Sequence, residues 1–190
     1  MKNNLQIVDG LLMMQAQKIG DSLAKQALLG VRSRIFALGL VHQQLMGSAD
    51  LKTFDVAPFL HELSNNILEG GAHEKVKLSV DAHQLEVGLD FAVPMGLLVT
   101  ELVTNSIKHA FPDGAGNISV VLRRDGDRHV VLVVSDDGNA QSDNVMVEQS
   151  KTGLGASIVK SLVAQLKGTM TVRGGIGRTT EIRTPMPVAS

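Results

Sequence analysis

Met95-Gly96-Leu97-Leu98-Val99-Thr100-Glu101-Leu102-Val103-Thr104-Asn105-Ser106-Ile107-Lys108-His109-Ala110-Phe111 is the stretch on which the reading of this chain turns. It reads as a helix. Leu97, Leu98, Leu102 and Ile107 lie close to one apolar stripe. Asn105 follows Glu101 by four residues, and Lys108 and His109 follow Asn105 by three and four, so these polar residues share another face. That face offers a carboxylate, an amide, an ammonium and an imidazole, a mixture suited to an anionic, metal-bearing ligand. The carboxylate orients water or takes a proton, the amide oxygen ligates a hard cation, and the ammonium meets phosphate. Ordinary surface helices also carry a polar face, so the weight of the reading falls on what lies downstream.

Three downstream pieces bear on it. Val131-Leu132-Val133-Val134-Ser135 runs into Asp136-Asp137-Gly138, which puts an acceptor at the end of a buried strand and lets backbone come close beside it. A buried carboxylate there can accept a hydrogen bond from an exocyclic amine such as adenine's; an Asp-Gly turn is the commoner use of such a sequence. Lys151-Thr152-Gly153-Leu154-Gly155 precedes a helix, where exposed backbone N–H groups hold phosphate oxygens. Residues 139–152, between the two, are polar, irregular and long enough for a lid.

Composition narrows the classes. The 190 residues are 44% hydrophobic with a net charge of -1, which supports a real core and gives no electrostatic case for nucleic acid or an anionic membrane. Without cysteine there is no disulfide and no thiol chemistry, as suits a cytoplasmic protein. No apolar run is long enough to span a bilayer, and no signal-peptide core stands at the start. Five Phe, with no Trp or Tyr, leave an aliphatic, Met-rich interior and no stacking platforms for bases.

The remaining elements are read in chain order. Residues 2–19 are a helix with a stripe of Leu5, Val8, Leu12 and Ile19, widened by Ile7, Leu11 and Met14. Asp21 caps a second helix from Ser22 to Met46, on which Leu28, Val31, Ile35, Leu38 and Leu45 approach a heptad seam. This hairpin is apolar on more than one side, so it is expected to form a dimeric four-helix bundle with a second copy, through residues 2–46. A third helix is expected from Phe54 to Leu68, ended by Gly70-Gly71. Strands follow at Val76–Val80, Leu85–Leu89, Ile118–Arg123 and His129–Ser135. A helix from Gly155 to Leu166 and strands at Met170–Arg173 and Thr180–Arg183, around Gly174-Gly175-Ile176-Gly177, end the pattern.

In this order the three pieces and the central helix resemble the N, G1 and G2 boxes of the GHKL ATPase superfamily, over about residues 74–187. Lys2-Asn3-Asn4-Leu5-Gln6 and Leu38-Gly39-Leu40-Val41-His42-Gln43-Gln44-Leu45 resemble the bundle helices of sensor histidine kinases of the second dimerisation/phosphotransfer class, similar to the HWE group. The resemblance implies an α+β fold: a helical hairpin over residues 1–50, then an ATP-binding two-layer α/β sandwich with a mixed sheet over 51–190. It implies ATP and Mg²⁺ as cofactors, phosphoryl transfer to a histidine, and onward transfer to an aspartate of a response-regulator receiver domain. Glu101 takes the catalytic place and Asn105 ligates Mg²⁺. Lys108 and His109 touch phosphates or ribose. Asp136 accepts the adenine amine and Gly138 gives the base room. Thr152, Gly153, Leu154 and Gly155 line the phosphate path, and Thr179 or Thr180, after Gly177, supports the base through water.

The chain departs from that pattern in three places. The family's phosphoacceptor histidine belongs three residues before Lys2, and none of the six histidines replaces it, so this chain is expected to bind nucleotide without labelling itself. Ala140 stands where a second glycine is usual, and Arg178 where a threonine is usual. These departures favour an alternative: a non-catalytic histidine-phosphotransferase-like or pseudokinase adaptor that dimerises and docks a regulator. The Glu101, Asn105 and Asp136 set opposes it. An anti-sigma-factor serine kinase shares the ATP fold but has no need of the hairpin.

Overall fold

The computed structural model describes residues 2–69, 75–111, 114–138 and 154–187. Gly70-Gly71, the lid at 139–152, Ala140, Thr152 and Gly153 lie outside the described residues, as does the side chain of Leu154.

The first two helices, α1 (Lys2–Lys18) and α2 (Ser22–Gly47), form the expected hairpin. Asp21 caps α2 as its sequence position implies, its Oδ1 accepting from the N–H groups of Leu23 at 2.8 Å and Ala24 at 3.0 Å. Arg32 clasps the hairpin from within, its Nε and Nη2 donating to the two oxygens of Asp9 at 2.5 and 2.9 Å.

After a turn come β1 (Phe54–Asp55), α3 (Val56–Glu69), β2 (Val76–Ala82), β3 (Glu86–Val87) and α4 (Leu89–His109). Phe54 and Asp55 are therefore strand, not the start of a helix: they pair antiparallel with Val87 and Glu86. The central helix also begins six residues earlier than the sequence suggested and runs through Pro94. A proline that deep removes one helical hydrogen bond. Burial of Phe91, Ala92 and Met95 on either side outweighs that loss, at about 1.5–3 kcal/mol for each large side chain.

The chain continues through β4 (Gly116–Asp125), β5 (His129–Asp136), α5 (Leu154–Gln165), β6 (Thr169–Gly175) and β7 (Gly177–Pro185). The five-stranded sheet has the order β2-β4-β5-β7-β6, parallel between β2 and β4 and antiparallel elsewhere. Alternation sends Ile118, Val120, Leu122, Leu132, Val134 and Ile182 inward, while Lys77, Ser79, Asp81 and Arg183 face solvent. Helices α3 and α4 cover the inner face together with α5, giving the two-layer α+β sandwich expected. Gly96 lets α3 approach α4, since a Cβ there would stand 2.6 Å from Phe59 Cζ.

The C-terminal half of α2 joins this core. Ala37, Leu40, Val41 and Leu45 are buried in one cluster with Phe59, Met95 and Leu98. The turn near residue 50 thus changes the chain's direction without interrupting the core. Another face of the hairpin stays outside the core: Ile7, Leu11 and Met14 on α1, and Val31 and Leu38 on α2, are exposed.

Candidate functional site

Helix α4 turns Leu102, Asn105, Ser106, His109 and Ala110 to one side, at helical spacings of three and four. Facing them are Val134 and Asp136 at the end of β5, and Arg178 and Thr180 at the start of β7. The register pairs Asp136 with Arg178 and Val134 with Thr180, which brings the two strand ends level. Together they line a cavity with an apolar body and a few convergent polar groups, the usual make-up of a small-molecule site.

Asp136 is its buried floor. Oδ1 accepts from the backbone N–H of Gly138 at 3.2 Å and of Arg178 at 3.3 Å; Oδ2 accepts from Ser106 Oγ at 2.7 Å. Among the described residues Oδ1 receives two donors and Oδ2 one, which leaves Oδ2 capacity for one more. Asp137 turns the other way, bonding the backbone N–H and side-chain amide of Asn117 at 2.7 and 2.5 Å, and those bonds hold its carboxyl below the usual range. Gly138 is required by its neighbours, because any Cβ there would overlap the backbone of Ala110. In this structure Gly138 lets β5 end against α4.

The polar face read from the sequence divides. Asn105 and His109 line the cavity; Lys108 is exposed and does not. His109 has its pKa lowered, first by desolvation against the cavity and then by the charges of Lys108 and Arg178. Glu101 sits on the flank, 8% exposed, with Oε1 accepting a 2.7 Å hydrogen bond from Arg34 Nε of α2. Its Oε2 lies 3.4 Å from where a Cβ on Gly155, in the first turn of α5, would stand. Of the two threonines considered, Thr180 is buried and lines the cavity, while its neighbour Thr179 points to the other face of the sheet. Leu102, Ser106 and Val134 line the cavity without being among the site residues expected from the sequence. Ser106 had a signal, being one turn after Leu102 on the stripe that alternates with Asn105 and His109.

Comparison with known families decides the class. A family model described as histidine kinase-, DNA gyrase B-, and HSP90-like ATPase matches residues 90–190, more than half of the chain. The chain belongs to that ATPase family. A histidine-kinase family model matches residues 1–70, so the hairpin and the ATPase segment together carry the pairing of a histidine kinase core. Among curated relatives, a sensor histidine kinase of Mycobacterium tuberculosis is 31% identical over 191 residues, covering 98% of this chain and 38% of the relative. A blue-light-activated histidine kinase of Erythrobacter litoralis is 28% identical over 198 residues, covering 97% of this chain and 54% of the relative. The chain thus spans only part of the length of the relatives it matches. The solved histidine kinase domain from an Erythrobacter litoralis blue-light activated kinase superposes with a TM-score of 0.70 at 23% identity, over 97% of this chain and 94% of that one, which shows a shared fold. Among the described residues no helix is long and apolar enough to cross a membrane.

Proposed function

We propose that the chain binds Mg-ATP between α4, β5 and β7 and is the catalytic core of a cytoplasmic sensor histidine kinase. It would deliver the γ-phosphoryl group to a histidine and thence to an aspartate of a response-regulator receiver domain. The observation that carries the nucleotide half is Asp136, a buried carboxylate at the cavity floor that, among the described residues, has one acceptor position spare. That is the complement of an adenine amine in an otherwise apolar slot. The matches over both segments support the kinase half.

The donor set fits Mg²⁺ as a shared ion. Among the described residues no cluster of three His, Asp or Glu side chains offers a protein cage, whereas Asn105 puts one hard oxygen at the cavity. Mg²⁺ suits such a site, because it keeps waters and takes most of its remaining ligands from substrate phosphates. When bound, it would neutralise charge on those phosphates. Asn105 holds the metal side, His109 meets the anionic edge of the ligand, and Leu102 with Val134 excludes water from the base. Asn105→Ala should remove the Mg²⁺-dependent gain in ATP affinity and leave adenosine binding nearly unchanged. Titration calorimetry with and without Mg²⁺ reads both. Equal Mg²⁺ dependence in parent and variant would move the metal away from α4.

Dimerisation belongs to the same proposal. Ile7, Leu11 and Met14 repeat on one side of α1, and Val31 and Leu38 are seven apart on α2, all exposed in the single chain. A second copy would bury both stripes in a four-helix bundle. Leu38→Glu should convert the dimer to monomer at tens of micromolar (on the order expected for an interface of ordinary size), with the sandwich still folded. Sedimentation of the parent as monomer throughout that range would refute the bundle.

A further inference from the structure

Arg34 lies outside the cavity, yet it holds Glu101, the carboxylate that the family resemblance puts in the catalytic place beside the attacking group. Its Nε is 2.7 Å from Glu101 Oε1, and neither side chain is well exposed, at 24% and 10%. Arg32, two residues earlier and so on another side of α2, is spent inside the hairpin on Asp9. Arg34 faces the sandwich instead, and among the described residues its bond is the one ion pair that joins hairpin to sandwich. The guanidinium leans back over Gly30, where a Cβ would stand 3.9 Å from Nη2, as helical side chains lean toward the N-terminus. Only Nε engages the carboxylate, so the grip is a single bond and not the two-pronged fork that Arg32 makes on Asp9. Oε2 remains beside Gly155, at the start of α5.

We propose that Arg34 is a restraining residue: it ties Glu101 to the hairpin, and phosphoryl transfer waits until α2 releases it. The inference rests on the ATP reading of the site and on the role of Glu101 in it. In the step at issue an attacking oxygen or nitrogen bonds to the γ-phosphorus, and the bond from that phosphorus to the β–γ bridging oxygen breaks. ADP leaves with the electron pair, and the proton of the attacking group passes to the Glu101 carboxylate. To take that proton the carboxylate must reach the attacking group within hydrogen-bond distance, with an oxygen lone pair free for it. Here it is nearly buried, and one oxygen is bonded to another domain's cation. The C-terminal half of α2 is anchored in the core through Ala37, Leu40 and Val41, immediately beyond Arg34. Release therefore needs only a local shift of the part of α2 that precedes the anchor, which is also where α1 is attached.

The test measures phosphate release from Mg-ATP, with water as acceptor, alongside Mg-ATP affinity and thermal stability, all on the full chain. Arg34→Met keeps the apolar stem and removes the charge; Arg34→Lys keeps a charge without the guanidinium geometry. Arg34→Met should turn over faster, by about 5- to 150-fold for a coupling of ordinary size, and Arg34→Lys by less. Adding Glu101→Gln to either should abolish the gain, which a merely structural role of Arg34 does not predict. Unchanged or slower turnover in the variants, with Mg-ATP still bound by the parent, overturns the restraint and leaves Arg34 a structural anchor. If Arg34→Met does not fold, Arg34→Lys decides by the same criterion. A parent chain that binds no Mg-ATP overturns the ATP reading and the restraint with it.

Discussion

Asparagine in place of Asp136 is expected to weaken ATP and adenosine alike, by on the order of tenfold to a hundredfold, while the fold stays intact. The surroundings dictate which way the new amide must sit. Oδ1 of Asp136 receives two backbone N–H groups, from Gly138 and Arg178. An amide NH₂ there would face two donors, so the asparagine oxygen has to take that place and the NH₂ takes the place of Oδ2. Ser106 Oγ can accept from it, because a hydroxyl rotates to suit. The adenine amine cannot, since it is a donor. The variant therefore meets a purine with a 6-oxo group better than one with a 6-amino group, and inosine triphosphate should gain on ATP. Titration with ATP, adenosine and inosine triphosphate, alongside a melting curve, reads the prediction. Loss of ATP affinity with adenosine unchanged would put Asp136 at the phosphates instead, and the assignment of the cavity to adenine would fall.

The elements that carry this argument were unequally legible in the sequence. The strands of the five-stranded sheet are legible, most clearly β4, where buried and partly exposed residues alternate, whereas the two-residue β1 reads as the start of a helix; Asp21 is legible as a cap because capping is local. The apolar and polar faces mark the central helix from Met95, but it begins at Leu89. The first turns are held by tertiary burial of Phe91 and Met95, which outweighs the local signal of Pro94. Asp136 and Asn105, which residue type and position in a motif single out, both line the cavity. Choosing between Thr179 and Thr180 needed the strand's parity, which depends on how tightly the chain turns between β6 and β7; the turn has only Ile176 between the paired Gly175 and Gly177. The partner of Glu101 was out of reach, since Arg34 is 67 residues away and no local pattern distinguishes it from Arg32.

The same turn supports the other large effect. Gly177→Ala should lower stability by roughly 2–5 kcal/mol and take nucleotide binding down with it. Two costs add. Gly177 has φ of +82°, a region in which an L-residue with a side chain is strained by about 1–2 kcal/mol. In addition, a Cβ at this position would overlap the carbonyl oxygen of Asp136, which is backbone and cannot rotate away. Forcing a methyl group into packed surroundings costs about 1–3 kcal/mol. For a chain of this size the sum lowers the melting temperature by on the order of ten degrees. Relief is available only by separating the start of β7 from the end of β5. That movement breaks the Arg178 N–H bond to Asp136 Oδ1 and withdraws Thr180 from the cavity, so the base loses two walls at once. Gly10→Ala is the contrasting control: it lies exposed within α1 with nothing within 4 Å of its would-be Cβ, and it should stabilise slightly through helix propensity. Thermal unfolding and ATP titration of the two variants separate the outcomes. A Gly177→Ala protein that melts with the parent and still binds ATP would mean that β5 and β7 do not approach as described, and that the floor of the cavity is built differently.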